Sequence, residues 1–383
     1  MNRSGTYIQQ PSGYRAFVPR PLPPNPPVHF DGALPKLLSR ADRSLARLDS
    51  MGYILPNVDL LIAMFVRKEA VLSSQIEGTQ ASLEDLFEYE SGQKPEKIND
   101  VGEVVNYVKA LNYGIERLDR LPMSIRLIKE IHSVLLKGVR GSDKTPGEFR
   151  QTQNWIGPPG SMLADATFVP PAPYDTIKTM GDLEIFLHAD NDLPALINCA
   201  LIHYQFETIH PFLDGNGRLG RLLVTFYLYW KGLLRRPLLY LSYFFKRHRQ
   251  EYYDRLNMVR ESGNYEQWIK FFLKGIAQVS DSTVEASRGI LKLQTDHRNL
   301  LWQKKISSPL AVGLLEKLFY TPFISVTDVA KAFSISYQRA SLLVSQFEKM
   351  RILREVTGKK RDKRYVYDKY IAILSEGTMP DEG

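Results

Sequence analysis

One stretch of twelve residues brings together side chains that could act on a phosphate. It reads His210-Pro211-Phe212-Leu213-Asp214-Gly215-Asn216-Gly217-Arg218-Leu219-Gly220-Arg221. Residues 222–230 are apolar except for Thr225, which predicts a buried helix that begins near Gly217. The first N–H groups of a helix and its positive dipole end bind anions. The stretch therefore predicts a phosphate-binding loop at a helix N-terminus.

Several side chains of this stretch have types that suit phosphate chemistry. Arg218 and Arg221 lie three positions apart, so a helix would present both to the same anion. His210 is a candidate general base, because imidazole titrates near neutral pH. Asp214 offers a hard oxygen to Mg²⁺, and Asn216 could orient a phosphate oxygen. Phe212 is expected to point into the core and anchor the loop.

The glycines also match two other phosphate-binding patterns in part. A dinucleotide fingerprint needs a preceding strand and an acidic residue about 20 positions later. The residues before the stretch recur at helical spacing instead, and residues 238–241 supply no acid. A P-loop needs Gly-Lys-Ser/Thr after its glycines, which is absent here. Both patterns are therefore disfavoured.

The stretch resembles the signature of the Fic family, His-Pro-Phe-x-(Asp/Glu)-Gly-Asn-Gly-Arg-x-x-Arg, at every defined position. Two further segments extend the resemblance over about residues 60–280. Residues 147–157, followed by Phe168-Val169-Pro170-Pro171, are similar to the flap hairpin of the family. Ser73-Ser74-Gln75-Ile76-Glu77-Gly78 fits its inhibitory pattern, (Ser/Thr)-x-x-x-Glu-(Gly/Asn).

This resemblance implies transfer of AMP from ATP to a hydroxyl side chain (Ser, Thr or Tyr) of a target protein. It implies His210 as the catalytic residue, Asp214 as the Mg²⁺ ligand, and a flap that docks the target through Phe168 and Val169. The ATP-binding residues that it implies are Gly215, Asn216, Gly217, Arg218, Leu219, Gly220, Arg221, Tyr252 and Tyr253. For the two tyrosines, core packing remains an equal alternative to a place beside the adenine.

The inhibitory pattern implies a self-restrained enzyme, with Ser73, Glu77 and Gly78 as its residues. If the Glu77 helix lies beside the site, its carboxylate would pair with Arg221 and compete with the γ-phosphate of ATP. Two alternatives stay open. The same fold could remove AMP or transfer another phosphate-containing group, or the chain could be a nucleotide-sensing regulator that binds DNA.

Composition places the chain among soluble globular proteins. It has 383 residues, 44% of them apolar and 24% charged, with a net charge of +8. The lone Cys199 can form no internal disulfide and is expected to be a small buried hydrophobe, which favours a cytoplasmic protein. The longest apolar run, residues 222–230, is too short to span a bilayer, so no membrane contact is expected. A homodimer is left open.

Helical spacing dominates between residues 34 and 280, so we expect a mainly α fold. It would hold a Fic-type helical domain with a small β-hairpin flap, and a C-terminal winged helix-turn-helix. The expected organisation is 1–30, a Pro-rich arm; 31–100, N-terminal helices with the inhibitory motif; 101–280, the Fic core; 281–305, a linker helix; 306–375, the winged helix; and 376–383, a tail. Predicted helices of the first 280 residues are 59–72, 101–118, 123–137, 175–188, 194–208, 244–259 and 265–279.

The Pro-rich arm holds seven prolines between residues 11 and 27, so it should be extended rather than helical. We expect it to pack across its own domain through Tyr14, Phe17 and Val18 rather than to act as an SH3 ligand. His132, His188 and His203 are expected to be structural, as most lone histidines are.

The C-terminal part predicts a helix at 327–333 with Thr327 as its N-cap, a turn, and a second helix at 337–350. Strands at 352–356 and 364–367 would flank a basic wing tip that contains Lys359, Lys360, Arg361 and Lys363. Such a module could make weak nucleic acid contacts, or it could bind a protein partner or a second subunit.

Overall fold

The computed structural model describes residues 2–54, 58–90, 92, 95, 97–158, 160–358, 362–376 and 378. Within these residues the chain is mainly helical. The helices are α1 (Leu34–Ile54), α2 (Val58–Ile76), α3 (Leu83–Glu90), α4 (Ile98–Leu118), α5 (Ile125–Leu135), α6 (Pro173–His188), α7 (Ala195–Ile209), α8 (Asn216–Trp230), α9 (Ser242–Arg247), α10 (Arg249–Ser262), α11 (Tyr265–Gln303), α12 (Pro309–Tyr320), α13 (Val326–Phe333), α14 (Tyr337–Lys349) and α15 (Asp368–Leu374). The strands are β1 (Gly5–Gln9), β2 (Arg15–Pro19), β3 (Phe323–Ser325), β4 (Arg354–Glu355) and β5 (Arg364–Val366).

Helices α7 and α8 form the centre of the fold. α7 buries every residue from Leu196 to Ile209, and α8 buries most of its length, as helices do when they are apolar all round. They pack against each other and are surrounded by α4, α5, α6, α10 and α11. Cys199 of α7 is 1% exposed, and burial raises the pKa of its thiol, so it packs as the small hydrophobe expected. The loop that joins α7 to α8 carries the signature stretch.

The N-terminal arm forms an antiparallel hairpin of β1 and β2, with Tyr7 opposite Phe17. The expectation that this arm packs across its own domain is confirmed, although the hairpin itself was not predicted. Phe17 is fully buried, whereas Tyr14 and Val18 are half-buried. The Phe17 N–H donates to the Val169 carbonyl oxygen at 2.9 Å, which joins the hairpin to the flap segment.

Most of the predicted helices are present, with two corrections. The helix predicted at 244–259 is wrong as one element, because the chain breaks at His248 between α9 and α10. The helix predicted at 265–279 continues without a break as α11 through the expected boundary at residue 280. No glycine or proline interrupts it beyond Gly275 and Gly289, which helices tolerate.

The C-terminal part contains α12 to α15 and a sheet of strand order β3-β5-β4. Ser325 caps α13 in a capping box with Asp328, so the prediction of Thr327 as the N-cap is wrong by two positions. The sequence did not predict α12, β3 or α15. Residues 359–361 of the predicted wing tip lie outside the described residues, and the winged helix-turn-helix remains an interpretation of these elements.

Among the described residues, none of the helices combines the length and the apolar character that crossing a bilayer requires.

Candidate functional site

The signature stretch forms a tight loop between α7 and α8. His210 ends α7 in the left-handed region, with φ 50°, and Gly215 precedes α8 with φ 76°, a conformation that glycine adopts without strain. Phe212 is fully buried and stacks on His132 with ring centroids 3.8 Å apart, as expected for the anchor of the loop. α8 begins at Asn216, one residue from the predicted start.

His132 supports the loop from α5, which agrees with the structural role expected for it. The Gly147 N–H donates to its Nδ1 at 2.8 Å, so Nε2 carries the proton and donates to the Asp214 carbonyl oxygen at 2.9 Å. Burial lowers the pKa of His132 to about 4, which keeps this tautomer neutral. The flap and the signature loop are therefore joined through one imidazole.

Asn216 closes the loop on itself. Its Oδ1 accepts from the Phe212 N–H at 2.9 Å, and its Nδ2 donates to the Phe212 carbonyl oxygen at 2.8 Å. The side chain is 2% exposed. Both ends of the amide therefore shape the loop, and the contact of Asn216 with a phosphate oxygen stays a prediction.

His210 lies half-buried at the edge of the loop. Arg150 holds its backbone, with Nε donating to the His210 carbonyl oxygen at 2.9 Å. Burial, together with the charges of Arg150 and Arg260, lowers the pKa of His210 to about 4. Its Nδ1 meets no hydrogen-bond partner in the described part of the chain. The imidazole is thus neutral at pH 7 and able to accept a proton.

Glu77 and Arg221 form an ion pair across the site. α2 ends at Ile76, and Glu77 follows directly, so the motif lies at a helix end as predicted. Arg221 Nη2 donates to Glu77 Oε1 at 2.7 Å and to the Ser73 carbonyl oxygen at 2.9 Å, while Nε donates to Ser73 Oγ at 2.8 Å. Gly78 adopts φ 94° and completes the turn. Ser73 and Glu77 thus bind Arg221, and Gly78 forms the turn that follows them.

The Glu77 carboxylate lies over the N-terminus of α8. A Cβ at Gly217 would collide with Oε1 of Glu77, so the missing side chain of that glycine makes room for the carboxylate. Burial opposes ionisation, but the Arg221 guanidinium outweighs it and lowers the pKa of Glu77. Burial by itself would lower the pKa of Arg221, but the charge of Glu77 outweighs this effect, and the pKa of Arg221 is raised. An internal anion therefore fills the place where the sequence predicts a phosphate.

Arg218 binds other partners than Arg221 does. Its side chain is fully buried, with Nη1 2.7 Å from Glu103 Oε2 and Nη2 3.5 Å from Asp214 Oδ1. The prediction that Arg218 and Arg221 face one anion is wrong here, because Glu103 of α4 binds Arg218. The signature stretch alone could not predict that Glu103, a buried carboxylate on the amphipathic helix α4, binds Arg218.

Leu219 and Gly220 belong to the buried face of α8 rather than to an open pocket. Leu219 is fully buried, and the Gly220 carbonyl oxygen accepts from Nδ1 of His203 at 2.9 Å. With Nδ1 protonated, Nε2 of His203 accepts from the Tyr252 hydroxyl at 2.9 Å. Tyr252 is 1% exposed, so the core alternative is confirmed for it, whereas Tyr253 is half-buried and remains a candidate for adenine contact.

The flap is a short antiparallel pairing of Ile156 with Phe168. Phe168 is 3% exposed beneath the Arg260 guanidinium, which lies 3.7 Å from the ring centroid. The Val169 carbonyl oxygen already accepts from the Phe17 N–H, so the N-terminal hairpin lies against both residues, and docking of a target by Phe168 and Val169 stays a prediction. The exposed apolar side chains of the flap are Trp155 (39% exposed) and Met162 (69%), which the sequence had not singled out.

Asp214 is the one predicted metal ligand. Its Oδ1 accepts from the Gly215 N–H at 2.6 Å, and 34% of the side chain is exposed. The described residues hold no group of three or more His, Cys, Asp or Glu side chains that could bind a metal. Mg²⁺ commonly takes one or two carboxylates together with substrate phosphates and water, so a single accessible carboxylate fits it when phosphates are bound.

Two family profiles match the chain. The profile "Fic/DOC family N-terminal" matches residues 35–116, and "Fic/DOC family" matches residues 122–228. The chain therefore contains a Fic/DOC N-terminal domain followed by a Fic/DOC domain, and α2, the signature loop and α8 lie within them. The Fic-type helical fold expected from the sequence is confirmed.

Curated proteins named protein adenylyltransferase Fic are similar to this chain. One from Drosophila grimshawi is 29% identical over 210 residues, which is 54% of this chain and 39% of that protein. One from Culex quinquefasciatus is 30% identical over 253 residues, covering 62% of this chain and 46% of that protein. The chain thus spans less than half the length of these relatives.

Two solved structures share the fold. A Fic family protein from Desulfovibrio desulfuricans G20 superposes with a TM-score of 0.59 at 20% identity, over 89% of this chain and 97% of that one. A Fic domain containing signaling protein from Bacteroides thetaiotaomicron superposes with a TM-score of 0.51 at 18% identity, over 67% and 97% of the two chains.

Proposed function

We propose that this chain transfers AMP from ATP to a hydroxyl side chain of a target protein, and that Glu77 restrains the reaction. The observation that carries the proposal is the Glu77–Arg221 pair, 2.7 Å long, at the anion-binding N-terminus of α8 and beside His210. The relatives named protein adenylyltransferase Fic support the reaction class, and the Fic/DOC domain supports the site.

In the proposed reaction, the target hydroxyl oxygen attacks the α-phosphorus of ATP. The bond from that phosphorus to the bridging oxygen of the β-phosphate breaks, and pyrophosphate leaves. His210 accepts the hydroxyl proton, which its neutral state permits. A bound triphosphate would add negative charge near His210 and so raise its pKa toward the range that suits a base.

The remaining groups of the site hold the nucleotide. The N–H groups of Gly217 and Arg218 lie in the first turn of α8 and are available to phosphate oxygens. Arg221 binds the terminal phosphates once Glu77 leaves it. Mg²⁺, held by Asp214 and phosphate oxygens, would offset charge on the leaving pyrophosphate. Positioning of this kind changes rates by about 10² for a displacement of about 1 Å.

The test is to compare wild type with Glu77→Gly, using ATP that carries ³²P at the α- or the γ-position. We expect the variant to label itself or a target protein from α-labelled ATP and not from γ-labelled ATP. The same variant with His210→Ala should show no labelling. If Glu77→Gly labels no faster than wild type, Glu77 does not restrain AMP transfer.

The proposed reverse activity, removal of AMP, has one observation in its favour. The Glu77 side chain is 31% exposed within the site, so its carboxylate could activate a water. A protein modified by the Glu77→Gly variant supplies the substrate for this test. Release of AMP by wild type, together with no release by Glu77→Gly, would assign the chain to removal.

For the C-terminal elements we propose a winged helix whose face on α14 binds a protein. The exposed side chains of α14 include Tyr337 (59% exposed) and Leu342 (63%), and apolar groups of this size suit a protein surface better than a phosphate backbone. DNA binding with a steep salt dependence would contradict this proposal.

A further inference from the structure

The side chain of Gln75 forms a hydrogen bond across the turn that carries Glu77. Gln75 lies in the last turn of α2 and is 6% exposed. Its carbonyl oxygen accepts from the Gly78 N–H at 3.0 Å. Its side-chain Nε2 donates to the Ala81 carbonyl oxygen at 2.8 Å and so spans the turn. Gln75 therefore bonds both the start and the end of the Glu77 turn, together with the Ser74 carbonyl oxygen, which accepts from the Glu77 N–H at 3.0 Å.

The same amide group also binds a segment from the other end of the chain. Gln75 Nε2 donates to the Thr378 carbonyl oxygen at 2.8 Å, and its Oε1 accepts from Lys246 Nζ at 2.9 Å. Thr378 is 1% exposed. We call Glu376 and Thr378 the post-α15 segment, because they follow α15. The buried side-chain amide of Gln75 thus joins this segment to the inhibitory turn, and both its nitrogen and its oxygen are hydrogen-bonded.

A second contact attaches the post-α15 segment to α2 and α9. The Lys68 ammonium lies 4.7 Å and 5.4 Å from the ring centroids of Tyr240 and Tyr243, and the residue is 2% exposed. The Tyr243 hydroxyl donates to Glu376 Oε1 at 3.4 Å. Burial lowers the pKa of Lys68 to about 8, and the charge of Glu376 acts in the opposite direction. Glu376 therefore supplies a negative charge beside a buried cation of the inhibitory helix.

The rest of the C-terminal part packs on both sides of the turn. α12 and α15 contact α2, which precedes it. Phe323 of β3 stacks on Phe87 of α3, which follows it, with ring centroids 6.0 Å apart. A movement of the C-terminal part would consequently shift both supports of Glu77.

We propose that Gln75 is a positioning residue that couples docking of the post-α15 segment to the hold of Glu77 on Arg221. With the segment docked, the turn is closed and Glu77 occupies the anion site. With the segment released, the turn loosens, Glu77 leaves Arg221 more often, and AMP transfer rises. This inference rests on the function proposed above, since it concerns the regulation of the same site.

The test compares two substitutions, each made in the wild-type chain and in the Glu77→Gly variant. Gln75→Ala removes the amide from the turn, and Glu376→Lys places like charge beside Lys68 at an exposed residue. In the wild-type chain we expect AMP transfer to rise about tenfold for Gln75→Ala, which loses buried hydrogen bonds. For Glu376→Lys we expect about a two- to fivefold rise, because solvent screens the charge of an exposed residue.

Two matched controls separate coupling from general loosening. Asn198→Ala removes another buried amide, which donates to Asn191 Oδ1 and to the Leu193 carbonyl oxygen at the far end of α7. Glu316→Lys reverses another exposed charge of the C-terminal part, which pairs with Arg298. Both controls should leave AMP transfer at the wild-type rate. In the Glu77→Gly variant, Gln75→Ala and Glu376→Lys should cause no further rise in AMP transfer. In the wild-type chain, both substitutions should also lower the KM for ATP.

The outcomes distinguish this inference from the proposed function. If Glu77→Gly does not raise AMP transfer, the proposed function fails, whatever the other variants do. If Glu77→Gly activates but Gln75→Ala and Glu376→Lys stay at the wild-type rate, the coupling is refuted. Equal effects of the two substitutions with and without Glu77 would refute it as well. Should Gln75→Ala not fold, Glu376→Lys with its charge-matched control decides the result.

Discussion

Replacing Glu77 with glutamine is expected to weaken the fold while it strengthens ATP binding. The amide keeps the shape of the side chain and removes its charge. The contact with Arg221 is 2.7 Å long, with side-chain exposures of 2% for Arg221 and 31% for Glu77. A charge-assisted hydrogen bond contributes about 1.5–3 kcal/mol and a neutral one about 1 kcal/mol. Since Glu77 is partly exposed, solvent screening reduces the difference, and we expect the free energy of unfolding to fall by about 1 kcal/mol.

The effect on ATP has the opposite sign, because the phosphate must displace the carboxylate from Arg221. Loss of about 1 kcal/mol of competition tightens the Kd for ATP about fivefold. Removal of repulsion between the carboxylate and the triphosphate adds to this, since like unit charges about 4 Å apart repel by about 4 kcal/mol at an effective dielectric constant near 20. About fivefold is therefore the lower bound of the expected change.

Urea unfolding followed by circular dichroism measures the first quantity, and calorimetric titration with a non-hydrolysable ATP analogue and Mg²⁺ measures the second. Glu130→Gln is the matched control, because Glu130 pairs with Arg117 at 2.9 Å away from the site. That control should lose stability without a change in Kd. If Glu77→Gln loses stability and its Kd for ATP stays at the wild-type value, Glu77 is structural and competition is the wrong explanation.

Three further predictions follow from the site and its surroundings. His210→Ala should reduce AMP transfer about 10²- to 10⁴-fold with little change in the Kd for ATP, and transfer at the wild-type rate would remove His210 from the mechanism. Burial raises the pKa of Glu69 to about 7, so between about pH 4.3 and 7 the folded protein keeps a proton on Glu69 that the unfolded chain loses. The free energy of unfolding should therefore fall by about 3 kcal/mol as pH rises from about 4.3 to 7. Urea unfolding of Glu69→Gln at several pH values should lack this slope, and an unchanged slope would contradict the assignment. Neutralising the four basic residues within 359–363 should flatten any salt dependence of duplex DNA binding, which we expect to be weak; nanomolar, sequence-selective binding would contradict that expectation.

The parts of the site that the sequence predicted are those set by local residue patterns or implied by the family resemblance. The glycines of the signature, followed by an apolar run, placed the start of α8 within one residue. The inhibitory motif predicted the pairing of Glu77 with Arg221, which the structure contains at 2.7 Å. The start of α8 depends on residue types within a few positions of one another, where the hydrophobic pattern determines the local structure. Glu77 and Arg221 are 144 residues apart, and their pairing was implied by the resemblance to the Fic family.

The parts that the sequence missed depend on partners from distant segments. Arg218 looked like a phosphate ligand because its partner Glu103 lies 115 residues earlier, on a different helix. The burial of Phe168 was not predicted, because Phe17 of the N-terminal hairpin, which packs against it, is far away in the sequence. Periodicity shows which face of a helix is buried but not which distant side chain covers it.

The burial of Cys199 has a practical consequence for measuring motion in this protein. It is the one cysteine of the chain, it is 1% exposed, and burial raises the pKa of its thiol. Since the thiolate is the form that reacts with maleimides, native Cys199 should remain unlabelled while the protein is folded. A cysteine introduced on an exposed surface then accepts a fluorophore or a spin label selectively, without prior removal of the native thiol from the centre of α7. Displacements of α2 against the C-terminal part can accordingly be followed spectroscopically in a protein whose core is unaltered.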